Sequence, residues 1–339
     1  MINLDWGKLP FGYQKTDYNV RSYFRNGEWG KLEISSSEYI SIHMAATALH
    51  YGQEAFEGMK AYKGLDGRIR LFRWMENARR MQSSAHGIMM QEPPVELFEE
   101  AIFKVIQLNK RFVPPHGTGA ALYLRPLLFG SGPKVGVKPA DEYCFMVFVT
   151  PVGPYFKEGF SPVSIQIARD YDRTAPKGTG QYKVGGNYAA SLRAGERAFK
   201  EGFASVLFID SKEKKYIDEA GPANFFGIKG NKYITPLSET ILPSITNKSL
   251  MELAADMGME VERRPVSVEE LAEFEEVGAC GTAAVISPIK RIVDRDTGRE
   301  FSYCKDGKAG PVSTKLYKRL TGIQYGDEED KFNWISFVE

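Results

Sequence analysis

The sequence contains little of what several protein classes require. Its three cysteines, Cys144, Cys280 and Cys304, form neither a Cys-x-x-Cys pair nor a disulfide framework, which favours a reducing compartment. Its four histidines lack the spacing of metal ligands, and no His-Glu-x-x-His motif occurs, so we expect no metal site. No apolar run is long enough to span a bilayer, and the N-terminus lacks the apolar segment of a signal peptide. We therefore expect a cytoplasmic protein.

The chain also lacks an excess of charge of either sign. Lysine plus arginine number 44 and aspartate plus glutamate 43, so no overall field attracts nucleic acid or an anionic membrane. Any anion must be bound by a local site. Neither a Gly-x-Ser-x-Gly elbow nor a Gly-x-Gly-x-x-Gly loop is present, which argues against an α/β hydrolase and a Rossmann dehydrogenase. A length of 339 residues with 43% hydrophobic residues predicts two domains.

What the chain does contain is one lysine in an unusual setting. Lys183 lies within Gly178-Thr-Gly-Gln-Tyr-Lys-Val-Gly-Gly-Asn-Tyr188, among glycines that allow a flat cofactor to approach the backbone. A nucleophilic lysine must be partly neutral, which desolvation or a neighbouring cation such as Lys177 favours. The alternative is a glycine-rich surface turn with two solvated lysines.

Hydrophobic periodicity predicts an α/β first half and a second half rich in strands. Residues Val95 to Phe112 have the helical spacing of a core-facing helix that follows Pro93-Pro94. Two nearly continuous apolar runs, 120–128 and 143–149, are typical of strands buried on both faces. An antiparallel meander is predicted for the later short strands at 204–209, 215–218, 225–228 and 233–235.

The two halves meet at a segment without periodicity. Residues 150–162 hold three prolines and two glycines, which is typical of a linker, and their aromatic side chains are candidates to cover a ligand. We therefore predict a smaller N-terminal α/β domain at 1–150, a linker at 151–163 and a larger C-terminal domain at 164–339.

Two segments in the second half offer backbone donors to an anion. After Leu242-Pro-Ser-Ile-Thr246 the spacing becomes helical, so Thr246 is a natural N-cap, and the N–H groups of Ile245 and Thr246 are placed to hold a phosphate. An ordinary Thr-capped helix gives the same pattern. The small residues of 278–284 provide a second close approach to the backbone, or a plain turn.

Several blocks of the sequence, in a consistent order from Leu49 to Ile292, carry a family resemblance. They are Leu49-His-Tyr51-Gly-Gln-Glu-Ala-Phe56-Glu-Gly-Met-Lys-Ala-Tyr62, Leu122-Tyr-Leu-Arg125-Pro, the Lys183 segment, Asp218-Glu219-Ala-Gly-Pro-Ala-Asn224, Leu242-Pro to Thr246, and Gly281-Thr282-Ala283-Ala284. With these blocks the chain is similar to the branched-chain amino acid aminotransferases, pyridoxal-phosphate enzymes of fold type IV.

This resemblance implies roles for residues around the cofactor, pyridoxal 5′-phosphate. Lys183 matches the family's lysine that forms the Schiff base with the cofactor and then moves a proton. Glu219 matches the carboxylate that keeps the pyridine nitrogen protonated, and Tyr188 the tyrosine bonded to the ring oxygen O3′. From the residues alone, a solvated acid at a strand end is the favoured interpretation of Glu219, and Tyr188 is equally a packing residue.

The resemblance also implies a phosphate site. Arg80 matches the family's phosphate arginine, with Arg79 as the adjacent alternative. The backbone N–H groups of Ile245 and Thr246, together with Thr282, complete the set.

For the substrate, the implied pocket has an aromatic wall and one cation. Tyr51, Phe56 and Tyr123 match residues that line the pocket, and the backbone N–H groups of Thr282 and Ala283 receive the α-carboxylate. Arg125 with Tyr123 is the implied pair for the second carboxylate of glutamate. The alternative for Arg125 is a salt bridge that closes the strand.

The fold and activity that the resemblance implies are specific. We expect an α/β (α+β) chain with a smaller N-terminal α/β domain and a larger, cofactor-binding C-terminal domain with barrel-like strands. The expected reaction is ping-pong transfer of the amino group from L-leucine, L-isoleucine or L-valine to 2-oxoglutarate. The expected assembly is a homodimer or larger homo-oligomer, in which Tyr51 acts across an interface.

Two enzymes of the same fold remain alternatives, D-amino acid aminotransferase and aminodeoxychorismate lyase. Both tend to be shorter chains, and the block from Leu49 to Tyr62 argues against them. A protein that binds pyridoxal phosphate without turnover is a third possibility. Two departures from the common family pattern, Pro222 in place of a threonine-containing sequence and Ser244 in place of a frequent glycine, concern fine specificity.

Overall fold

The computed structural model describes residues 4–155, 160–304 and 306–339. The chain forms two compact units. The first comprises Met1–Lys157, Tyr182–Gly185 and Gly322–Glu339, and the second comprises Glu158–Gln181 and Gly186–Thr321. Residues 156–159 of the predicted linker lie outside the described residues.

Strands dominate both units. In chain order they are β1 (Asn19–Arg25), β2 (Glu28–Trp29), β3 (Glu33–Ser35), β4 (Glu54–Phe56), β5 (Met59–Lys63), β6 (Ile69–Phe72), β7 (Ala121–Gly130), β8 (Tyr143–Val152), β9 (Val163–Ala168), β10 (Ser205–Ile209), β11 (Ile217–Ala220), β12 (Ala223–Lys229), β13 (Lys232–Pro236), β14 (Glu260–Arg264), β15 (Glu276–Gly281), β16 (Val285–Asp294), β17 (Arg299–Ser302) and β18 (Ile335–Val338).

Helices connect and cover these strands. The α-helices of the described residues are α1 (Thr47–Tyr51), α2 (Trp74–Gly87), α3 (Val95–Leu108), α4 (Gly185–Lys200), α5 (Ile245–Asp256) and α6 (Pro311–Tyr325). Short 3-10 helices occur at Trp6–Lys8, Lys110–Phe112 and Val268–Glu273. Within the described ranges, no helix combines the length and the apolar character needed to cross a membrane.

The sheet of the first unit is antiparallel in every pairing given for it. Its order is β18-β6-β5-β7-β8-β1-β2, with β3 on β1 and β4 on β7. The predicted strands at 120–128 and 143–149 are its long central pair, β7 and β8, and nearly every residue in both is buried. Apolar residues of α2 and α3 share one buried core with these strands.

The predicted helix at 95–112 ends earlier than expected, at Leu108. Asn109 follows with no exposed surface, and its side-chain oxygen accepts hydrogen bonds from the backbone N–H groups of Asp17 and Tyr18. Its side-chain nitrogen donates to the carbonyls of Tyr18 and Val105. A distant segment therefore ends the helix, which local periodicity does not reveal.

The last strand returns to the first sheet. Strand β18 pairs antiparallel with β6 from Ile335↔Phe72 to Val338↔Ile69. The structure thus groups residues 322–339 with the N-terminal strands, whereas the sequence-based division placed them in the C-terminal domain. Because it includes residues 322–339, the first unit is not smaller than the second, in contrast to the predicted division.

A closed barrel forms the second unit. The order β11-β10-β9-β16-β15-β12 returns to its start because β11 also pairs with β12. Each of these six strands contributes to one buried apolar cluster, which includes Ile165, Leu207, Ile217, Phe225, Val277 and Ile289. The predicted meander is confirmed, since the four strands from β10 to β13 pair antiparallel in succession.

One buried lysine is unusual in the first sheet. Lys60, on β5, lies opposite Tyr123 on β7 and is 9% exposed. Burial lowers the pKa of its amine from the usual 10.5 to about 8. The protonated form is therefore less stable in the folded chain than in the unfolded chain.

Replacing this lysine should stabilise the fold in a pH-dependent way. The folded pKa lies below the unfolded one, so the cost of the buried charge is complete below pH 8 and disappears as the pH rises towards 10.5. Lys60→Met should therefore raise the free energy of unfolding by about 3 kcal/mol at pH 7 and by much less at pH 10. Urea unfolding at both pH values measures this difference.

Lys31→Met, at an exposed position, gives the baseline for the loss of a lysine charge. An equal gain from Lys60→Met at both pH values would contradict the expected cost of burial.

Candidate active site

The Lys183 segment runs beside β4 in the first unit. The backbone N–H of Lys183 donates to Ser84 Oγ at 2.9 Å, and its carbonyl accepts from the Phe56 N–H at 3.0 Å. Its Nζ lies 4.7 Å from the centre of the Phe56 ring. Lys183 is half buried, whereas Lys177 is exposed. The surface-turn interpretation therefore describes Lys177 and not Lys183.

Two neighbours fix the segment after Lys183. Val184 is buried and forms an isolated β-bridge with Ala55. A Cβ atom on Gly185 would lie 1.7 Å from Glu54 Oε1, so glycine is needed there for the close approach. Burial raises the pKa of Glu54, and a hydrogen bond from the Gly185 N–H opposes that rise.

A buried carboxylate orients Arg80. Glu57 has no exposed surface and accepts from Arg80 Nε at 2.7 Å and from Arg80 Nη2 at 2.8 Å. Asn77 Nδ2 donates to the same carboxylate at 2.8 Å. Arg79, by contrast, is exposed. Sequence reasoning did not single out Glu57, although an acid inside the run Ala-Phe-Glu-Gly-Met requires a buried cation.

Arg125 lies against aromatic rings. Its Nη2 donates to the Tyr123 hydroxyl at 3.1 Å, and its guanidinium carbon lies 4.9 Å from the centre of the Phe56 ring. Its buried Nε has no hydrogen-bond partner among the described residues. The salt bridge considered for Arg125 is not found in the described part of the chain. A Cβ on Gly58 would lie 2.1 Å from the Tyr123 hydroxyl, so this arrangement requires a glycine.

A third aromatic ring, that of Phe11, packs on Tyr123. Phe11 packs edge-on against both Tyr123 and Tyr155, with ring centres 5.4 and 5.2 Å apart, and Lys60 Nζ lies 6.0 Å from the Phe11 ring. No sequence pattern indicated Phe11, which lies in an irregular segment. Tyr155 belongs to the predicted linker, whose aromatic residues were candidates to cover a ligand.

Tyr51 belongs to a different surface of the first unit. It is 41% exposed, and its hydroxyl donates to the Val135 carbonyl. In the described part of the chain, none of its hydrogen bonds or ring contacts is with Phe56, Tyr123 or Arg125. The structure therefore does not bring Tyr51 to the other predicted substrate residues of the same chain.

Glu219, on β11 of the second unit, is buried and not a solvated strand-end acid. Only 2% of its surface is exposed. Its Oε1 accepts from the Leu242 N–H at 2.6 Å and lies 3.4 Å from Asn224 Nδ2, while its Oε2 lies 3.1 Å from Arg173 Nε. Backbone, amide and guanidinium donors thus fix this carboxylate.

The helix α5 begins one residue before Thr246, at Ile245. Its N-cap is Ser244, whose extended backbone lets its hydroxyl accept from the Asn247 N–H at 3.2 Å. The prediction of Thr246 as N-cap is therefore wrong. Ser244 and Thr246 both carry a hydroxyl group, and Ser244 is the N-cap because its backbone is extended. Ile245 and Thr246 still lie in the first turn, where N–H groups have no acceptor within the helix.

Thr282 and Ala283 form the connection between β15 and β16. The next strand begins at Val285, which has a φ of +65°. A β-branched residue rarely adopts this left-handed conformation, and such strain concentrates at functional sites. Tyr188 lies in the first turn of α4 and is half buried.

The predicted site residues thus fall into two groups, each described within its own unit. The first unit holds Tyr51, Phe56, Arg80, Tyr123, Arg125 and Lys183. The second holds Tyr188, Glu219, Ile245, Thr246, Thr282 and Ala283.

Known proteins resemble this chain in both sequence and fold. A family model for amino-transferase class IV matches residues 54–292. The branched-chain-amino-acid aminotransferase of Haemophilus influenzae is 48% identical over 346 aligned positions, which cover 100% of both chains.

Solved structures agree with this relationship. A branched-chain amino acid aminotransferase from Escherichia coli has a TM-score of 0.81 at 29% identity, covering 96% of this chain and 100% of that one. The Thermobaculum terrenum enzyme in its PLP form has a TM-score of 0.77 at 25% identity, covering 96% and 100%. The predicted fold type IV architecture is confirmed. The chain therefore belongs to amino-transferase class IV and, within it, to the branched-chain amino acid aminotransferases.

Proposed function

We propose that this aminotransferase transfers the amino group of L-leucine, L-isoleucine or L-valine to 2-oxoglutarate in a ping-pong reaction with pyridoxal 5′-phosphate. The observation that carries this proposal is the position of Arg125, 4.9 Å from the Phe56 ring and bonded to Tyr123. An aromatic wall suits an aliphatic side chain, and the guanidinium suits the second carboxylate of 2-oxoglutarate. One pocket can therefore accept both substrates in turn.

The residues present fit the cofactor's phosphate. Arg80 is held by Glu57 in a bidentate pair, which fixes the plane of its guanidinium. The N–H groups of Ile245 and Thr246 open a twelve-residue helix, whose N-terminal end favours an anion. Within the second unit, these N–H groups and Thr282 would bind the phosphate locally, in a protein whose net charge is only +1, and Arg80 is the candidate that the first unit offers.

The ring of the cofactor fits the second group. When bound, pyridoxal phosphate supplies a ring that withdraws electrons from the substrate Cα. The buried carboxylate of Glu219 would hold a proton on the pyridine nitrogen, and the Tyr188 hydroxyl would donate to O3′.

Lys183 would serve as nucleophile and then as base. Its Nζ lies 4.7 Å from the centre of the Phe56 ring, and a nucleophilic amine must be partly neutral. The freed amine would carry a proton from the substrate Cα to cofactor C4′. The backbone N–H groups of Thr282 and Ala283 would hold the α-carboxylate during this transfer.

Replacing Lys183 tests the reaction class. The wild-type protein with pyridoxal phosphate should show a visible absorbance band that L-leucine removes and 2-oxoglutarate restores. Lys183→Ala should lose this cycle and at least about 10³-fold of the rate, because it lacks the amine that binds the cofactor and moves the proton. Absorbance spectra and a coupled glutamate assay measure both effects.

Lys177→Ala, which removes an exposed lysine six residues upstream, should behave as wild type. A band that responds only to a D-amino acid or to aminodeoxychorismate would point to the alternative enzymes of this fold. No band after reconstitution would refute the proposal.

Replacing Arg125 should affect the KM for 2-oxoglutarate much more than the KM for L-leucine. Arg125→Met should raise the KM for 2-oxoglutarate roughly tenfold to a hundredfold, because a charge-assisted hydrogen bond is worth about 1.5–3 kcal/mol. The KM for L-leucine should change by less than about threefold, since leucine has no second carboxylate. Steady-state kinetics with each substrate varied measure the ratio.

Arg111→Met, which removes an arginine from an exposed ion pair, is the matched control. If Arg125→Met weakens leucine and 2-oxoglutarate equally, Arg125 does not discriminate between them.

We also propose that the protein forms a homodimer. Two neighbouring loops expose large apolar side chains at Tyr39, Met44, Val135 and Val137, and the adjoining helix α1 exposes Leu49. The Lys134 N–H donates to the Ala45 carbonyl, and Ala46 forms a bridge with Pro133, so the loops form one surface. An exposed apolar surface of this kind is typical of an interface. A second copy of the chain would cover it, and the Tyr51 of that copy would then lie near the site.

Charges on this surface should break the dimer. Met44→Glu combined with Val137→Glu should convert a dimer into a monomer in sedimentation equilibrium, because the interface would then bury two carboxylates from each copy. Leu65→Glu, equally exposed but on the β5–β6 turn, should leave the dimer intact. A monomeric wild-type protein would refute the proposal.

The expected setting is the cytoplasm. Cys144, Cys280 and Cys304 are free thiols, which suits a reducing compartment. The proposed partners are small molecules: the branched-chain amino acids, their 2-oxo acids, L-glutamate and 2-oxoglutarate.

A further inference from the structure

A buried arginine makes contact with Glu219 that no sequence motif indicated. The side chain of Arg173 is only 5% exposed, and its Nε lies 3.1 Å from Glu219 Oε2. Its Nη1 donates to the Thr240 carbonyl at 2.8 Å, and both Nη atoms lie within 3.5 Å of the Gly180 carbonyl. One guanidinium therefore joins the β11 carboxylate to two backbone segments.

The site around this guanidinium is closely packed. A Cβ atom on Gly180 would lie 2.3 Å from the Thr240 carbonyl oxygen and 2.6 Å from Thr174 Oγ1. Residue 180 must therefore be glycine for the carbonyls of Gly180 and Thr240 both to accept hydrogen bonds from Arg173. Lysine has a single nitrogen and could not contact Glu219 and both carbonyls in this planar arrangement.

The charge of Arg173 acts on two adjacent buried carboxyl groups. Burial raises the pKa of Asp218, and the charge of Arg173 opposes this rise. Glu219 is equally buried and is in direct contact with the guanidinium. The Cys280 thiol, which interacts with Glu219 from β15, stays neutral because burial raises its pKa. A buried carboxylate that loses its cation tends to bind a proton instead.

We infer that Arg173 is a positioning residue for Glu219: it keeps that carboxylate ionised and fixes its direction towards the pyridine nitrogen of the cofactor. This inference rests on the proposed role of Glu219. In this role Arg173 acts through the carboxylate of Glu219 alone. A merely structural ion pair would stabilise the fold without any effect on how the cofactor titrates.

A control arginine lies four residues upstream. Arg169 forms a bidentate pair with the buried Asp294, in the same unit and with similar distances, since its Nε donates to Oδ1 and its Nη2 to Oδ2. Arg169→Gln should therefore reproduce the loss of a structural ion pair. An effect on cofactor titration that occurs in Arg173→Gln and not in Arg169→Gln is therefore attributed to the contact with Glu219.

The first measurement uses the apoprotein. Titration of the Glu219 side chain by carbon-13 NMR should show a pKa at least about one unit higher in Arg173→Gln than in wild type, with no change in Arg169→Gln. Because no cofactor is present, this result does not depend on the proposed function. An unchanged Glu219 pKa would overturn the inference even if the enzyme is an active aminotransferase.

The second measurement uses the holoenzyme. Arg173→Gln should weaken pyridoxal phosphate binding about tenfold and raise the pH midpoint of its visible absorbance by about one unit, since removal of a positive charge favours protonated forms. Arg173→Lys, which keeps the charge, should restore the midpoint and only part of the affinity. If Arg173→Gln does not fold, the Lys variant still tests the inference, because its affinity should fall while its midpoint stays.

The route through Glu219 is tested by combining variants. In a Glu219→Gln background, Arg173→Gln should no longer shift the midpoint. A shift that persists in this background, or an equal shift in Arg169→Gln, would overturn the inference. Failure of the proposed function is distinct, since the wild-type protein would then bind no pyridoxal phosphate.

Discussion

The pairing of β11 with β12 is the constraint on which the second unit depends. It closes a ring of six strands and leaves no open edge within the ring. The same pairing sets Glu219 directly opposite Asn224, whose side chain reaches the carboxylate. Barrel closure and placement of the carboxylate thus come from one set of backbone hydrogen bonds. A shift of register by one residue would turn Glu219 to the other face of the strand.

Each unit contains a buried glutamate whose charge is paired with that of a nearby arginine. In the first, Glu57 has no exposed surface and is matched by Arg80. In the second, Glu219 is matched by Arg173. Burial of such an ion pair costs free energy unless further hydrogen-bond donors satisfy the carboxylate. The Asn77 side chain donates to Glu57, and the Leu242 N–H donates to Glu219. Charges that are expensive to bury are therefore concentrated where the proposed site needs fixed directions.

The sequence predicted the features that depend on local pattern. Strands β7 and β8 were found because burial on both faces gives continuous apolar runs, and the Lys183 segment because its glycines are unusual. Contacts between distant segments were missed. Asn109 ends α3 through hydrogen bonds to Asp17 and Tyr18, and Glu57 and Arg173 are recognisable only from their partners. The choice of Ser244 over Thr246 as N-cap depended on backbone angles that residue types do not determine.

The return of β18 to β6 has a consequence for synthesis on the ribosome. Residues 335–338 supply an edge strand to a sheet whose other members all come from the first 152 residues. While the intervening barrel sequence is being translated, β6 has no neighbour on that side, and its backbone groups are open to pairing with other chains. The first unit begins the chain but is among the last parts to be completed. Until β18 is translated, the open edge of β6 must be kept from pairing with other chains.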